Sequence, residues 1–157
     1  MTDLLAHVDI IPARASHVPW ILSTFREQAR RMPLATPQQT RAEAGAIERI
    51  LRGGIGQAAV MVPLGSLDDG MGWALGMGGA LLFGYVSAEF RRQGLGSALA
   101  ATVAPLVPVQ VAFWTRDAEA MRAHGFPIQY SIDAFRALCS YVRRDYRLPQ
   151  HQPARAA

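Results

Sequence analysis

The sequence predicts a single α/β domain in which a mixed sheet is covered by helices on both faces. Three observations carry this. The chain has 157 residues, half of them apolar, enough to bury a core without metals or crosslinks. Its apolar period changes along the chain, from helical spacing before residue 54 to short strand-like runs between 57 and 88, and back to helical after Gly94. Turn residues separate these stretches, giving the order β-α-α-β-β-β-α-β-α. A sheet shielded on two sides is the natural way to bury such elements.

"VDIIPAR" (8–14) reads as a short strand, and Ser16 as the cap of a helix with Pro19 in its first turn. That helix carries Trp20, Ile21, Phe25 and Met32 at helical spacing, and prolines at 33 and 37 end it. A second helix starts near Thr36 or Thr40 and stops at Gly53-Gly54. "QAAVMVPL" (57–64) is a strand and "GSLDDG" (65–70) a turn. "MGWALGM" and "ALLFGYVSAEF" flank Gly78-Gly79, a two-residue hairpin signal. An alanine-rich helix follows Gly94 and ends by Pro105 or Pro108. "VQVAFWT" (109–115) is a strand and "DAEAMRAHGF" (117–126) a short helix closed by Gly125. Beyond it, "IQYSIDAFRALCSYVRRDY" has room for a strand and a helix. The domain is expected over 1–146, with 147–157 a disordered tail.

Composition narrows the function. Net charge is +4, the pI is near 10.0, and every cationic residue apart from histidine is arginine. A basic balance suits an anionic ligand, a phosphorylated cofactor or a nucleic acid; ordinary solubility is the plainer reading. Cys139 stands alone, which excludes an internal disulfide or a multi-cysteine zinc site and fits a reducing, cytoplasmic setting. No metal is expected. The apolar stretch at 71–88 is too broken by glycine to span a membrane, and "MTDLLAHVDI" lacks the basic region of a secretory leader.

The chemistry concentrates in "FRRQGLGSALAATVAPL" (90–106). Gly94 and Gly96 sit where a buried strand hands over to a helix. The first amides of a helix have no partner within it, and its dipole adds partial positive charge there. A pyrophosphate is the expected guest, with Arg91, Arg92 and Gln93 adding charge and donors. A Walker loop needs Gly-Lys-Ser/Thr, and the chain has no lysine. A dinucleotide fingerprint needs a third glycine, where this chain has Leu99.

"YVSAEFRRQGLGSALA" resembles the central motif of the GCN5-related N-acetyltransferases, the GNAT superfamily: Arg/Gln-x-x-Gly-x-Gly/Ala after a strand ending Val-x-Pro-Glu-aromatic. The match is Arg91-x-x-Gly94-x-Gly96, preceded by Val86, Glu89 and Phe90, with Ala88 in the place of proline. "AEAMRAHGF" is similar to the family's later helix, which commonly ends in Gly-Phe, and the likeness spans about residues 8–126. It extends more loosely to small phage-type members. The resemblance implies a mostly antiparallel GNAT-like sheet and acetyl-CoA as cosubstrate. It implies a pyrophosphate on the amides of Gln93, Gly94, Leu95, Gly96 and Ser97. It also implies pantetheine pairing with Tyr85, Val86 and Ser87, and an acceptor that is a primary amine of a small molecule or protein.

Two departures bear on catalysis. Some members carry a glutamate early in the strand before the glycine loop, where this chain has Ala80. Many carry a tyrosine four residues before the Gly of Gly-Phe, where this chain has Met121. The replacement candidates are Glu89, Tyr130 and Ser87; each also has a plain structural reading, as a capping acid, a half-buried tyrosine and a strand-end serine. His124, Cys139 and Trp114 are weaker candidates. The early helices carry Arg26, Arg30, Arg31 and Arg41 beside Glu27 and Glu43, which suits an acidic or phosphate-bearing acceptor or, more plainly, a solvated face. The alternatives are a nucleic-acid- or tRNA-directed GNAT-type enzyme and a CoA-binding or protein-binding module without catalysis. A monomer and a homodimer both fit.

Overall fold

The computed structural model describes residues 3–31, 36–54, 56–112, 116–134 and 136. Ten regular elements follow one another: β1 (Val8–Pro12), α1 (Val18–Arg30), α2 (Pro37–Gly53), β2 (Gln57–Pro63), β3 (Gly72–Met77), β4 (Ala80–Val86), α3 (Leu95–Val103), β5 (Val109–Val111), α4 (Arg116–Ala123) and β6 (Ile128–Tyr130). The six strands form one sheet in sequence order. Strands β1 to β4 pair antiparallel, and β4–β5 and β5–β6 pair parallel. The expected mixed, mostly antiparallel sheet with its element order is the one observed, with β6 added.

Local chemistry sets the boundaries. Thr36 caps α2 in a reciprocal box, its hydroxyl accepting from Gln39 N–H at 3.1 Å while Gln39 Oε1 accepts from Thr36 N–H at 3.0 Å. Gly54 ends the helix in the left-handed region, φ 61°. Gly78 and Gly79 turn the β3–β4 hairpin at φ 60° and 81°. Helix α4 closes in a Schellman motif, Phe126 N–H donating to Met121 O and Gly125 N–H to Arg122 O. The start of α1 differs from the sequence reading. Ser16 lies inside a 3-10 turn, Ala15–His17, and His17 is the N-cap. The buried His17 ring is the reason: Nδ1 accepts from Arg14 N–H at 2.9 Å and Nε2 donates to Leu67 O at 2.7 Å, tying the turn to the β2–β3 loop. The strand expected over 109–115 is Val109–Val111; residues 113–115, with Trp114, lie outside the described residues, as do Cys139 and the expected tail 147–157.

The two sheet faces are built differently. On one, α1 and α2 cover Val60, Val62, Trp73, Leu75 and Leu82. Trp73 is 1% exposed, and its indole N–H donates to Thr24 Oγ1 at 2.8 Å. The same hydroxyl lies 3.0 Å from the carbonyls of Trp20 and Ile21, to one of which it donates. Thr24→Val keeps the shape and strands the indole N–H. It is expected to cost about 1–3 kcal/mol in denaturant unfolding, with Thr24→Ser costing less. On the other face β3 presents only Gly72, Ala74 and Gly76, and α3 lies directly on it through Leu95, Leu99 and Val103. A glycine inside a strand costs about 0.5–1 kcal/mol relative to alanine. Seating a buried leucine or valine recovers about 1.5–3 kcal/mol. Close approach therefore wins, and α3 is held firmly at the strand ends. A third cluster joins α3 to α4 through Ala100, Ala104, Val109, Val111, Ala118 and Ile128.

Candidate functional site

The site lies where β4 and β5 part. Among the described residues their pairing covers Ala80↔Gln110 and Leu81↔Val111, followed by one bond from Ala112 N–H to Leu81 O at 2.9 Å. Strand β4 continues to Val86. Ser87 N–H donates to Met71 O across the β3 side. By strand alternation Tyr85 and Ser87 therefore turn their backbone groups to β3, and Gly84 and Val86 turn theirs to the β5 side. A register shift opposite Leu75/Gly76 sets this phase. Beyond Leu81, no described residue of β5 pairs with that edge.

The chain leaves β4 through a 3-10 turn, Ala88–Phe90, and enters α3 over a loop with two left-handed residues, Arg92 (φ 63°) and Gly94 (φ 81°). Alternation of ordinary and left-handed residues curls successive amides into an anion-binding concavity. The first helical bond runs from Ala98 N–H to Gly94 O at 3.1 Å. Among the described residues, nothing accepts from the N–H groups of residues 92–97. Arg92 in a left-handed conformation carries a steric cost of roughly 1–2 kcal/mol that the loop sustains.

The predicted residues fall into three groups. Gln93, Gly94, Leu95, Gly96 and Ser97 form the amide concavity, with Leu95 buried as its anchor and Gln93 exposed. Tyr85, Val86 and Ser87 form the adjoining edge, but only the Val86 backbone, with that of Gly84, faces the gap. Arg91 is turned back onto the strand, its Nε donating to Val86 O at 2.7 Å and its guanidinium carbon 5.8 Å from the Tyr85 ring centroid. It braces the loop against β4, while Arg92 is exposed. The catalytic candidates are less closely gathered. Ser87, half-buried, follows the last residue of β4 and precedes the 3-10 turn, in which Glu89 is exposed. Tyr130 ends β6, opposite Val111 of β5. The registers of β4, β5 and β6 set Tyr130 level with Leu81, six residues short of Ser87, so Ser87 and Glu89 alone of the three lie at the edge that carries the glycine loop. His124 is exposed beyond α4. Ala80 is buried within the β4–β5 pairing, and Met121 packs on the α3–α4 cluster, so neither place offers a proton donor or acceptor.

The helical face adds a group the sequence reading placed only among the surface charges. Glu43 of α2 is half-buried, and burial pushes its carboxyl up from 4.5 to about 7. A carboxyl raised by burial stabilises the fold only while protonated. That contribution is complete below about pH 4.5 and is lost as pH rises through about 7. Glu43→Gln is therefore expected to leave stability unchanged near pH 4 and to raise it by about 1–3 kcal/mol at pH 8, read from paired denaturant melts.

No protein-family model matches the sequence, and no curated protein sequence matches it either. Solved structures do. A possible acetyltransferase from Clostridium difficile 630 superposes with a TM-score of 0.53 over 94% of this chain and 99% of that one, at 11% identity. This is the fold of the GNAT-type acetyltransferases. The aminoglycoside N-acetyltransferase AAC(6')-Iy, in complex with CoA, aligns at a TM-score of 0.46 and 14% identity, over 96% of each chain. A probable acetyltransferase aligns at 0.42 and 18%, over 95% of this chain and 96% of that one. No helix among the described residues is long and apolar enough to cross a membrane, and none of them form a cluster of three or more metal-ligating side chains.

Proposed function

We propose that this protein is an acyl-CoA-dependent N-acyltransferase that moves an acetyl group from acetyl-CoA to a primary amine. One observation carries the reading: among the described residues, six consecutive amides, 92–97, stand without acceptors at the mouth of α3, beside the end of β4 at Gly84 and Val86, with which no described residue of β5 pairs. The residues fit the cosubstrate. A pyrophosphate supplies the acceptors these amides lack. The outward groups of Gly84 and the Val86 N–H suit the amides of a pantetheine chain, as an added strand suits a sheet edge, while Val86 O already accepts from Arg91. Gly96 has a helical backbone, and a Cβ built on it would meet nothing nearer than Val86 Cγ2 at 3.7 Å. Packing does not require glycine there, whereas a ligand lying on the backbone does.

The bound thioester supplies an activated acyl carbon. The chain's part is to hold it and exclude alternatives. The α3 amides fix one end of the ligand and β4 fixes its path. The Val86 N–H, turned into the gap, is placed to donate to the carbonyl oxygen as negative charge develops there. Such holding alone supplies much of the rate of an acyl transfer. Ser87 and Glu89 at this edge are able to exchange protons with the leaving thiol or the acceptor, and Tyr130 stands further back, level with Leu81.

The test is a thermal-shift comparison of CoA, acetyl-CoA, ATP and NAD. CoA and acetyl-CoA at about a hundred times their dissociation constants are expected to add about 2.7 kcal/mol, a rise of roughly 5–10 °C, with ATP and NAD well behind. Equal or absent shifts for all four would remove the reading.

A further inference from the structure

At the open end of β4 the side chains of Tyr85, Trp20 and Arg91 meet. Tyr85 is the centre. On its β3 side it stacks on the buried Trp73, with ring centroids 6.5 Å apart and planes at 25°. Trp20 of α1 meets it edge-to-face, at 6.4 Å and 78°. Trp20 is itself fixed in place, since a Cβ on Gly70 would lie 2.5 Å from its Cη2 and Cζ3. On the gap side the Arg91 guanidinium carbon lies 5.8 Å from the Tyr85 centroid. Its Nε brings it there, donating at 2.7 Å to Val86 O, the carbonyl that strand alternation turns into the gap.

Tyr85, Trp20 and Trp73 lie on the face that α1 and α2 cover, whereas Leu95 and α3 pack on the other. Arg91 thus leaves the glycine loop, passes the strand edge and reaches the far face, away from the amides of 92–97. Among the described residues, the two Nη of Arg91, the Tyr85 hydroxyl and the Trp20 indole N–H have no hydrogen-bond partner. Arg91 has no ion pair there either, and Glu89, two residues before it, is exposed and unpaired. A guanidinium already held by a carbonyl and a ring loses little freedom when it binds an anion. With Nε spent, the two Nη remain as a fork that matches a carboxylate. The same charge repels a bare ammonium approaching the gap, whereas an amine with its own carboxylate brings the counter-charge. Val86 supplies both the carbonyl that holds Arg91 and the N–H placed at the thioester. Fork and reacting carbon are therefore neighbours, and an acceptor spans them when its carboxylate and amine are a few bonds apart.

We propose that Arg91 reads a carboxylate on the acceptor, and that the acceptor is an amine of the apolar α-amino-acid type, its body lying against Tyr85 and Trp20. The inference rests on the acyl-transfer reading above. It moves Arg91 from the cosubstrate, where its motif sets it, to the acceptor. The half-buried rings supply the apolar wall, and the Tyr85 hydroxyl and Trp20 N–H are further donors beside the fork. A site built to bond a carboxylate discriminates against the amine that lacks it, because the guanidinium is then left unpaired.

The experiment is calorimetric binding of matched amines to the CoA-loaded protein, with CoA binding read as a rise in Tm on the same samples. The pairs are phenylalanine and phenethylamine, leucine and 3-methylbutylamine, and alanine and ethylamine, each differing by the carboxylate alone. In at least one pair the amino acid is expected to bind about 10-fold or more tighter than its partner. Arg91→Gln is expected to bring that ratio to within about twofold while CoA still raises the Tm. Arg91→Lys keeps the charge and loses the fork, so its ratio should fall between the two, and it decides if Arg91→Gln does not fold. A merely structural brace would weaken both members of a pair alike. Equal binding or no binding in every pair, or a preference that survives both variants, overturns the acceptor assignment alone. A CoA response lost in a variant whose own Tm is near wild type puts the guanidinium on the pyrophosphate and also overturns it. No Tm rise with CoA in wild type overturns the acyl-transfer reading and this inference together.

Discussion

Gly76→Ala is expected to destabilise the protein by about 2–3 kcal/mol, a fall in Tm of roughly 5–10 °C. A Cβ at this position would lie 2.6 Å from Val103 O, 3.0 Å from Val103 Cβ and 3.1 Å from Ala80 O. Two of these atoms are backbone, and the third is bound directly to it. None can swing away as the tip of a long side chain does, so either α3 must lift from β3 or the hairpin must distort. Lifting α3 opens the contacts of Leu99 and Val103. Gly84→Ala is the matched control. Its Cβ would find nothing nearer than Trp73 O at 3.8 Å, and the residue is exposed. It is expected to change stability by no more than about 0.5 kcal/mol. A Gly76 variant as stable as the Gly84 variant would show that the contact of α3 with β3 is not close packing, and the rigid seating of the glycine loop would fall with it.

Position 76 also shows how the sequence conceals part of the fold. Glycine in "MGWALGM" is legible as an interruption, but not as the small face of a strand whose other face carries Trp73, Leu75 and Met77. That distinction needs the partner, and the partner begins 19 residues later at Leu95. Punctuation encoded within a few residues is readable: the Thr36–Gln39 box, Gly54, the Gly78-Gly79 turn and Gly125 each act through neighbours in sequence. The glycine loop belongs to the same class, since the amides of 92–97 are left unpaired by the start of a helix, wherever that helix packs. Distant partners decide what is not readable. The His17 ring moves the start of α1 by binding Leu67, fifty residues away. The register shift opposite Leu75/Gly76, which turns Gly84 and Val86 towards the gap, has no mark in the sequence. Glu43 lies between these cases. Its place on the line of Ile47 and Ile50 can be counted from the sequence. Its burial depends on what the fold packs against α2.

Gly96→Val is expected to abolish stabilisation by CoA while the ligand-free Tm stays within about 3 °C of wild type. The separation of the two effects is what gives the variant its force. Gly96 is in the first turn of α3 with a helical backbone, so a side chain there is not strained by φ. Its Cβ would sit at an ordinary 3.7 Å from Val86 Cγ2. Valine costs only a few tenths of a kcal/mol in a helix, less than the glycine it replaces. Towards the ligand the same substitution places two methyl groups over amides that a pyrophosphate must approach to about 3 Å. Gly94 does not serve, because its φ of 81° strains any other residue and would confound lost binding with lost structure. Gly96→Ala should be intermediate, since one methyl screens fewer amides than a branched group. If Gly96→Val melts at the wild-type temperature and CoA still raises its Tm by the wild-type amount, the ligand does not lie on the α3 amides. The unpaired N–H groups of 92–97 would then need another guest.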